Sequence, residues 1–533
     1  MSRREEHVGF VTTATILGVD ALPVTVEVSV GSGLPGIHIV GMPDTAIQEA
    51  RQRVRQALKA SYFEMRNRHV VVNLAPSSLK KIGSGFDLPI ALAYLISTEQ
   101  IDPELVKNRL CIGELSLDGS VKAVPGQLAY EKIAHNQGWG LLSGPSVMGV
   151  YSQMDQEHVC LNHLADLRRG SFIEPEQMTG SIEANCSDFA DVAGNDLAKR
   201  ALQIAAAGSH GLLMVGPPGS GKSMMASRLP SILPPLSQEE CIESALIHSV
   251  AGLSFESILR GERPFRAPHH GASRAGLIGG GNPTGPGEVS FAHNGVLFLD
   301  ELPEFGSAVL QMLRQPMEQG TVSLARANGT VTFPARFMLV AASNPCPCGY
   351  FSDPKRSCSC TPAQISRYQG RVGGPLMDRI EIVVDVWRSD PAKVLDTGLG
   401  TTSAHLREGV MQARAFAVWR RAREEAKGLS ARTQLKPADL ETGRAGTGEG
   451  QVASEAGRAG SGAALLASCQ LGIKERSSLE MMAERYQLSG RGIMCALSVA
   501  RTIADMEESE RVLQEHLLEA VSFRKNDRES VTS

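Results

Sequence analysis

The sequence lacks any apolar run that approaches the roughly 20 residues needed to span a bilayer. Residues Met1 to Val30 begin with charges and then alternate apolar and polar side chains, with Asp20 interrupting the run. Such alternation is typical of strands and not of a secretion signal. We therefore expect a protein without a membrane segment.

A disulfide framework and a globally basic surface are also missing. Of the ten cysteines, four lie close together and six are scattered singly, at Cys111, Cys160, Cys186, Cys241, Cys469 and Cys495. This usage indicates a reducing compartment, so we expect the cytoplasm. Because the formal net charge is −4, any nucleic-acid contact must come from local basic patches.

The length of 533 residues predicts about three to four domains. Residues 1–170 alternate short strand-like runs with helical ones, and we expect them to form the first domain. Strands are predicted at Val24–Val30 and His69–Leu74, and helices at Thr45–Ala60 and Leu88–Ser97.

A polar stretch over residues 171–187 is predicted to be a linker. Residues 188–390 repeat strand, loop and helix, which indicates an α/β domain with a parallel sheet. Residues 391–533 are helix-rich. Within them, the stretch at about 443–462 is dense in Gly, Ala, Ser and Glu, and we expect it to be flexible.

A phosphate-binding loop follows the short apolar strand predicted at Gly211–Val215 and precedes a helix. Its pattern is G-x-x-x-x-G-K-[ST], formed by Gly216, Pro217, Pro218, Gly219, Ser220, Gly221, Lys222 and Ser223. Glycines let backbone N–H groups turn towards phosphate, and the helix N-terminus favours an anion. We expect Lys222 to reach the β- and γ-phosphates of ATP and Ser223 to bind Mg²⁺.

Two further strands are predicted to end in polar side chains. One finishes at Asp300 and Glu301; paired acids at the end of a buried strand need a cation nearby. We expect Asp300 to position Mg²⁺ and Glu301 to act as general base for the attacking water. The other strand, Phe337–Ala342, is followed by Asn344, which would orient that water; the alternative is ordinary turn chemistry.

Taken together, these motifs resemble the magnesium-chelatase-related branch of AAA+ ATPases, and more narrowly the ComM/YifB family of competence proteins. The resemblance covers nearly the whole chain. It is carried by Gly36-Ile-His-Ile-Val-Gly-Met-Pro-Asp44, Phe86-Asp-Leu-Pro-Ile-Ala-Leu92, Phe265-Arg-Ala-Pro-His-His270, Gly285-Pro-Gly-Glu-Val-Ser290, His293-Asn-Gly-Val-Leu-Phe-Leu-Asp-Glu-Leu-Pro-Glu-Phe305, Phe333-Pro-Ala-Arg336, Asn344-Pro-Cys-Pro-Cys-Gly349, Gly374-Pro-Leu-Met-Asp-Arg379 and Val499-Ala-Arg-Thr-Ile-Ala-Asp505.

The resemblance implies a P-loop AAA+ core with a parallel sheet, preceded by an α+β Lon-protease-like domain and followed by a helical lid. It also implies a homo-hexameric ring with ATP between neighbours, where a cation supplied in trans stabilises the transferring phosphoryl group. Arg379 is similar to the arginine finger of related ring helicases; Arg371 and a structural ion pair are the alternatives. Arg491 resembles the lid arginine that reads the γ-phosphate.

Four cysteines, in two C-x-C pairs, follow Asn344 closely. Cys346, Cys348, Cys358 and Cys360 suit a tetrahedral Zn²⁺ site with all four positions filled by protein. Reduced free thiols and redox sensing remain alternatives.

The N-terminal domain raises a protease as a rival function, because Gly83-Ser-Gly-Phe-Asp-Leu and Gly113-Glu-Leu-Ser-Leu-Asp-Gly-Ser-Val121 are similar to the Lon-protease-like fold. The family's nucleophile position falls at Gly85 and its lysine position near Leu128. Ser84 and Lys122 lie nearby but outside the dyad pattern. A nucleophile without its base is inert, so we expect a non-proteolytic platform.

DNA is the partner that the resemblance favours, because ComM relatives act as helicases in branch migration during DNA uptake by natural transformation. Two inserts, one with His269 and His270 and the other a hairpin at Thr321–Phe333 around Asn328-Gly329, would project into the ring channel. Their basic residues would follow phosphates without reading sequence, and they are Arg266, Arg274 and Arg326. The alternatives are solvated or paired arginines, and a motor that remodels a protein partner.

Overall fold

The computed structural model describes residues 7–147, 149–151, 156–177, 188–326, 329–389, 400–433 and 456–524. In the N-terminal region a seven-stranded mixed sheet forms the scaffold. In spatial order its strands are Gly36–Val40, His69–Ala75, Asp20–Gly31, Val8–Leu17, Arg109–Cys111, Gly140–Ser143 and His158–Cys160. The two strands expected from the alternating pattern are therefore confirmed.

Helices Thr45–Ala60, Asp87–Ser97 and Gln127–Gln137 accompany this sheet. The first begins after Asp44, whose side chain accepts the Ile47 N–H at 2.9 Å. Its apolar residues recur every three or four positions, so Ile47, Val54 and Leu58 are buried together. The helices predicted at 45–60 and 88–97 are confirmed.

A five-stranded parallel sheet forms the core of the second region. In spatial order its strands are Phe265–Arg266, Val296–Leu299, Met338–Ser343, Leu212–Val215 and Ile382–Asp385. The first strand along the chain, Leu212–Val215, lies between the last two. Ligands bind beyond the carboxyl ends of parallel strands at such a reversal of strand order, and the P-loop, Gly216–Ser223, begins there.

Helices surround this sheet, which explains why its strands are continuous apolar runs. They are Asp196–Gly208, Lys222–Arg228, Gln238–Val250, Glu256–Leu259, Arg274–Ile278, Glu288–Phe291, Ser307–Met312, Arg314–Gln319, Pro362–Gly370 and Gly374–Met377. Three antiparallel ribbons are also present: Glu114–Leu115 with Val121–Lys122, Gly279–Gly280 with Gly285–Pro286, and Thr321–Arg326 with Gly329–Pro334. The last is the predicted hairpin; its residue Asn328 lies outside the described residues.

The C-terminal region is helical, as expected. Its helices are Ser403–Thr433, Ala456–Cys469, Ile473–Arg485, Gly490–Met506 and Gln514–Ser522. They share one core with helix 196–208 and the 212–215 strand, and Val383 N–H donates to Phe523 O at 2.8 Å. Of the stretch expected to be flexible at about 443–462, residues 443–455 lie outside the described residues, and a helix begins at Ala456.

The N-terminal region packs directly on the second region. Gly126 N–H donates to Ser249 O at 2.7 Å, and Leu128 N–H donates to Ser249 Oγ at 3.1 Å. Leu128 and Leu246 belong to one buried apolar cluster. Within the described residues, none of the helices is long and apolar enough to traverse a membrane.

Candidate nucleotide site

The P-loop encloses a space that its glycines keep open. Gly219 and Gly221 have φ of +75° and +88°, and a Cβ at either position would meet no atom within 4 Å. At Gly216, by contrast, a Cβ would lie 2.0 Å from Val386 O, so only glycine fits against the last strand. Glycine adopts these positive φ values without strain, and glycine-rich loops of this kind bind phosphate through their backbone N–H groups.

Lys222 lies under this loop with only 8% of its surface exposed. Its ammonium donates to Gly216 O at 2.8 Å, Pro217 O at 2.9 Å and Asn344 Oδ1 at 3.3 Å. Burial lowers the pKa of Lys222 to about 8, although the nearby carboxylates oppose the shift. A phosphate would supply the opposite charge that this buried cation needs.

Ser223 and Asp300 form the adjacent part of the site. The Ser223 hydroxyl donates to Asp300 Oδ2 at 2.5 Å, which joins the start of the P-loop helix to the end of the Val296–Leu299 strand. Hydroxyl and carboxylate oxygens are ligands that Mg²⁺ prefers. The chemistry of this donor pair therefore fits the expected magnesium site.

Glu301 follows in a left-handed backbone conformation, with φ of +51°. This conformation is costly for a non-glycine residue and occurs often at functional sites. Its carboxylate lies 3.6 Å from His270 Nδ1, and the His270 ring packs edge-on against Phe305. The sequence indicated His270 only as part of an insert, because a contact across 31 positions leaves no local signal.

Arg379 lies at the opposite, amino end of the parallel strands, and the helix that carries Arg491 contacts the residue before it. Glu381 N–H donates to Gly211 O at 3.1 Å, which places Arg379 at the amino end of the Leu212–Val215 strand. Arg379 is buried and paired with Glu318. Arg491 lies in the first turn of the Gly490–Met506 helix, whose Cys495 Sγ contacts Asp378 O at 3.8 Å. The backbone at Arg379 is thus separated from the P-loop that follows Val215 by the length of the strand, about 13 Å at 3.3 Å per residue.

Arg371, the alternative candidate for the arginine finger, donates to Glu304 Oε2 at 3.2 Å in an exposed ion pair. Glu304 follows Glu301 by three positions, so Arg371 lies on the P-loop side. Exposed pairs of this kind contribute little to stability.

The four expected metal ligands converge. The Cys346, Cys348 and Cys358 sulfurs are 3.3 to 3.7 Å apart, and all four Sγ atoms lie within 4.8 Å of one another. Burial alone would raise the pKa of the Cys348 thiol. Hydrogen bonds from the backbone N–H groups of Tyr350 and Ser359 and from the Cys346 and Cys360 thiols outweigh burial and lower this pKa to about 5. Although the Cys360 N–H opposes the shift, burial and the neighbouring thiols raise the pKa of Cys358 to about 12, and the pKa of Cys360 is raised as well. Without a metal, the cluster therefore favours one thiolate, at Cys348.

The three arginines expected to contact DNA differ in their surroundings. Arg266 forms a bidentate pair with Glu288 at 2.6 and 2.7 Å, which matches the paired alternative. Arg274 is exposed, and its Nε lies 3.1 Å from Met312 Sδ. Arg326 ends the first hairpin strand, and its side chain lies outside the described residues.

In the N-terminal domain the dyad positions contain no nucleophile and base. Gly85 and Leu128 are buried in the core. The nearby Ser84 hydroxyl donates to Glu114, and Lys122 is exposed in a short ribbon. The paired Ser84 therefore has a carboxylate partner rather than the lysine that a protease of this kind requires.

Family models of the magnesium chelatase match three parts of the chain. "Magnesium chelatase, subunit ChlI" matches residues 188–394, "Subunit ChlI of Mg-chelatase" residues 26–142, and "Magnesium chelatase, subunit ChlI C-terminal" residues 400–524. The uncharacterized protein YifB of Escherichia coli K12 is 38% identical over 525 residues, which cover 97% of each chain. The chain belongs to the ComM/YifB family of magnesium-chelatase-like AAA+ proteins.

The competence protein ComM of Haemophilus influenzae is 38% identical over 520 residues, covering 95% of this chain and 96% of ComM. The magnesium-chelatase 67 kDa subunit of Chlorobaculum tepidum is more distant, at 29% over 167 residues, or 30% of this chain and 23% of that subunit. The expected family is thus confirmed, and the ComM/YifB likeness extends through the N-terminal region.

Proposed function

We propose that the chain is an ATP-hydrolysing motor that works as a homo-hexameric ring on DNA. The observation that carries the proposal is the convergence of Lys222, Ser223, Asp300 and Asn344 at one edge of the parallel sheet. A buried ammonium, a hydroxyl–carboxylate pair and an amide together match the needs of a triphosphate with its metal ion.

Each residue has a separate role in the proposed reaction. The P-loop N–H groups and Lys222 bind the β- and γ-phosphates, and Ser223 and Asp300 would hold Mg²⁺. The ion, when bound, neutralises charge on the phosphates. Glu301 accepts the proton of the attacking water, and Asn344 orients that water. The Lys222–Asn344 contact at 3.3 Å means that both groups would face the same phosphate.

A neighbouring chain would complete the site. Arg379 lies at the far end of the strands, with about 13 Å of strand between its backbone and its own P-loop, and the helix of Arg491 contacts Asp378 beside it. In a ring, the far end of one protomer faces the P-loop of the next. Arg379 would leave Glu318 to stabilise the transferring phosphoryl group, a contribution that is large in related motors.

DNA is the proposed substrate of the motor. The ComM relative is a competence protein, and a helicase or branch-migration activity in homologous recombination would serve such a role. Arg274 is exposed on a helix beside the ribbon Gly279–Gly280. A cation at this position would follow the phosphate backbone without reading sequence.

ATP turnover with and without DNA tests the proposal. Phosphate release is measured with Mg²⁺ alone, with single-stranded DNA and with forked DNA. The motor is expected to turn over faster with DNA, most with the fork. Arg274→Ala is expected to reduce the DNA-stimulated rate and its salt dependence more than Arg407→Ala does, since Arg407 is an equally exposed arginine on helix 403–433.

Turnover that is indifferent to both DNA forms would contradict the DNA motor and favour the protein-remodelling alternative. Absence of turnover under all conditions would contradict the ATPase itself. The proposed cofactors are Mg²⁺ at Ser223 and Asp300, and Zn²⁺ at the four cysteines, whose sulfur-only donor set suits zinc.

A further inference from the structure

The four cysteines lie on a loop that touches the P-loop. We infer that a zinc ion bound by Cys346, Cys348, Cys358 and Cys360 holds the P-loop in its phosphate-binding conformation, so that nucleotide affinity depends on the metal. This inference rests on the proposed nucleotide site and deepens it by naming a structural metal that controls that site.

The sulfur positions fit zinc. Tetrahedral Zn²⁺ with bonds of 2.3 Å places its sulfur ligands about 3.8 Å apart. The recorded separations of 3.3, 3.7 and 3.5 Å are close to this value. Because all four ligands come from the protein, the site is closed and suits a structural role rather than catalysis.

The loop has little else to hold its shape. Residues 344–361 form neither helix nor strand, and within 346–360 only Cys346 and Gly349 are buried. A segment of this length cannot offset its conformational entropy with so small a core. A metal that cross-links both ends of the segment supplies the missing constraint.

One direct contact, from Gly349, and one bridge through Arg388 connect the cysteine loop to the P-loop. Gly349, with φ of +83°, approaches so closely that an added Cβ would lie 2.6 Å from Pro218 Cδ. The Arg388 guanidinium donates to Pro218 O from Nε at 3.2 Å and from Nη2 at 3.0 Å. Pro218 is therefore contacted at its ring by Gly349 and at its carbonyl by Arg388.

Tyr350, a residue of the cysteine loop, connects Arg388 to that loop. The Arg388 guanidinium lies 5.6 Å from the centre of the Tyr350 ring. The Arg356 guanidinium lies 4.0 Å from the centre of the same ring and donates to the Tyr350 hydroxyl at 2.8 Å. Loss of the metal would release Gly349 and Tyr350 together, and Pro218 would lose the constraints on its position.

Zinc content and nucleotide affinity of the full-length protein test the inference separately. Zinc is measured by mass spectrometry after dialysis, and affinity by titration with fluorescent mant-ATP and Mg²⁺. Wild type is expected to hold about one zinc ion per chain. Cys360→Ser is expected to lose zinc, and Cys241→Ala, a buried cysteine outside the cluster, to keep it.

Nucleotide affinity should decrease when the zinc ion is lost. Cys360→Ser is expected to raise Kd about three- to tenfold, the effect of losing one or two hydrogen-bonded constraints. Arg388→Ala should raise Kd similarly while zinc remains, and Arg407→Ala should change neither. Should Cys360→Ser fail to fold, removal of zinc from wild type with the chelator TPEN, followed by zinc addition, gives the same comparison.

Three results would overturn the inference. Wild type with less than about a tenth of a zinc ion per chain, or with iron instead, would refute the zinc site whether or not ATP binds. Bound zinc whose removal leaves Kd within about twofold would refute the coupling. Wild type that holds zinc but binds no nucleotide would refute the proposed nucleotide site and the coupling, and leave the metal site standing.

Discussion

Glu301→Gln is expected to separate ATP binding from ATP hydrolysis. The Glu301 carboxylate is 53% exposed, and its recorded partner is His270 Nδ1 at 3.6 Å. Lys222 and Ser223 bond instead to the P-loop carbonyls, Asn344 and Asp300. The groups that would bind the nucleotide therefore remain in place when Glu301 loses its charge.

The structure indicates how large the effects of Glu301→Gln on stability and on turnover should be. An exposed pair such as His270 with Glu301 contributes at most about 1 kcal/mol, and glutamine has the same shape as glutamate. The free energy of unfolding should therefore change by less than about 1 kcal/mol. Removing a general base slows proton transfer by about 10²- to 10⁴-fold, or about 3–5 kcal/mol in the activation barrier.

Three measurements check this prediction: urea denaturation for stability, mant-ATP titration for binding, and phosphate release for turnover. Lys222→Ala is the matched control, because it should lose binding as well as turnover. Near-normal turnover in Glu301→Gln would refute the role of Glu301 as general base. A loss of binding equal to that of Lys222→Ala would refute the division of roles.

Three further predictions concern the ring, the buried lysine and the loop contact. Arg379→Lys keeps a cation beside Glu318 but loses the guanidinium fork. Rings made only of this variant should lose turnover, and rings mixed with Lys222→Ala should recover part of it. Absence of recovery would contradict an arginine finger in trans. Because the pKa of Lys222 is about 8 when folded and 10.5 ordinarily, the unfolded chain holds the extra proton between these values. The contribution of Lys222 to the free energy of unfolding should therefore rise from pH 8 to 10.5. Lys222→Met should remove this rise in urea titrations. Gly349→Ala should weaken mant-ATP binding, since the new methyl would press on Pro218; unchanged Kd would contradict that contact.

Local patterns explain what the sequence could predict. Helix Thr45–Ala60 is predicted to the residue, because its apolar positions recur at helical spacing and Asp44 caps it. The expected strands at 211–215 and 337–342 differ from the observed Leu212–Val215 and Met338–Ser343 by one residue at most at each end. Because parallel strands end at one edge of the sheet, their order brings Lys222 and Asn344 together.

Contacts between distant positions could not be predicted. The Arg388–Pro218 contact joins residues 170 positions apart, and neither residue type indicates the other. The pairing of Arg266 with Glu288 leaves no local signal either, because an arginine's partner depends on tertiary packing. The burial of the arginine-finger candidate Arg379 beside Glu318 could not be predicted either. It depends on the chain returning to the amino end of the sheet, which no local pattern indicates.

The most direct test of the central claim is the binding of ATP to the purified full-length protein in the presence of Mg²⁺, measured by calorimetry. Wild type is expected to bind ATP, more tightly with Mg²⁺ than without it, and Lys222→Ala is expected to show no binding. Failure of folded wild type to bind ATP with Mg²⁺ would contradict the account.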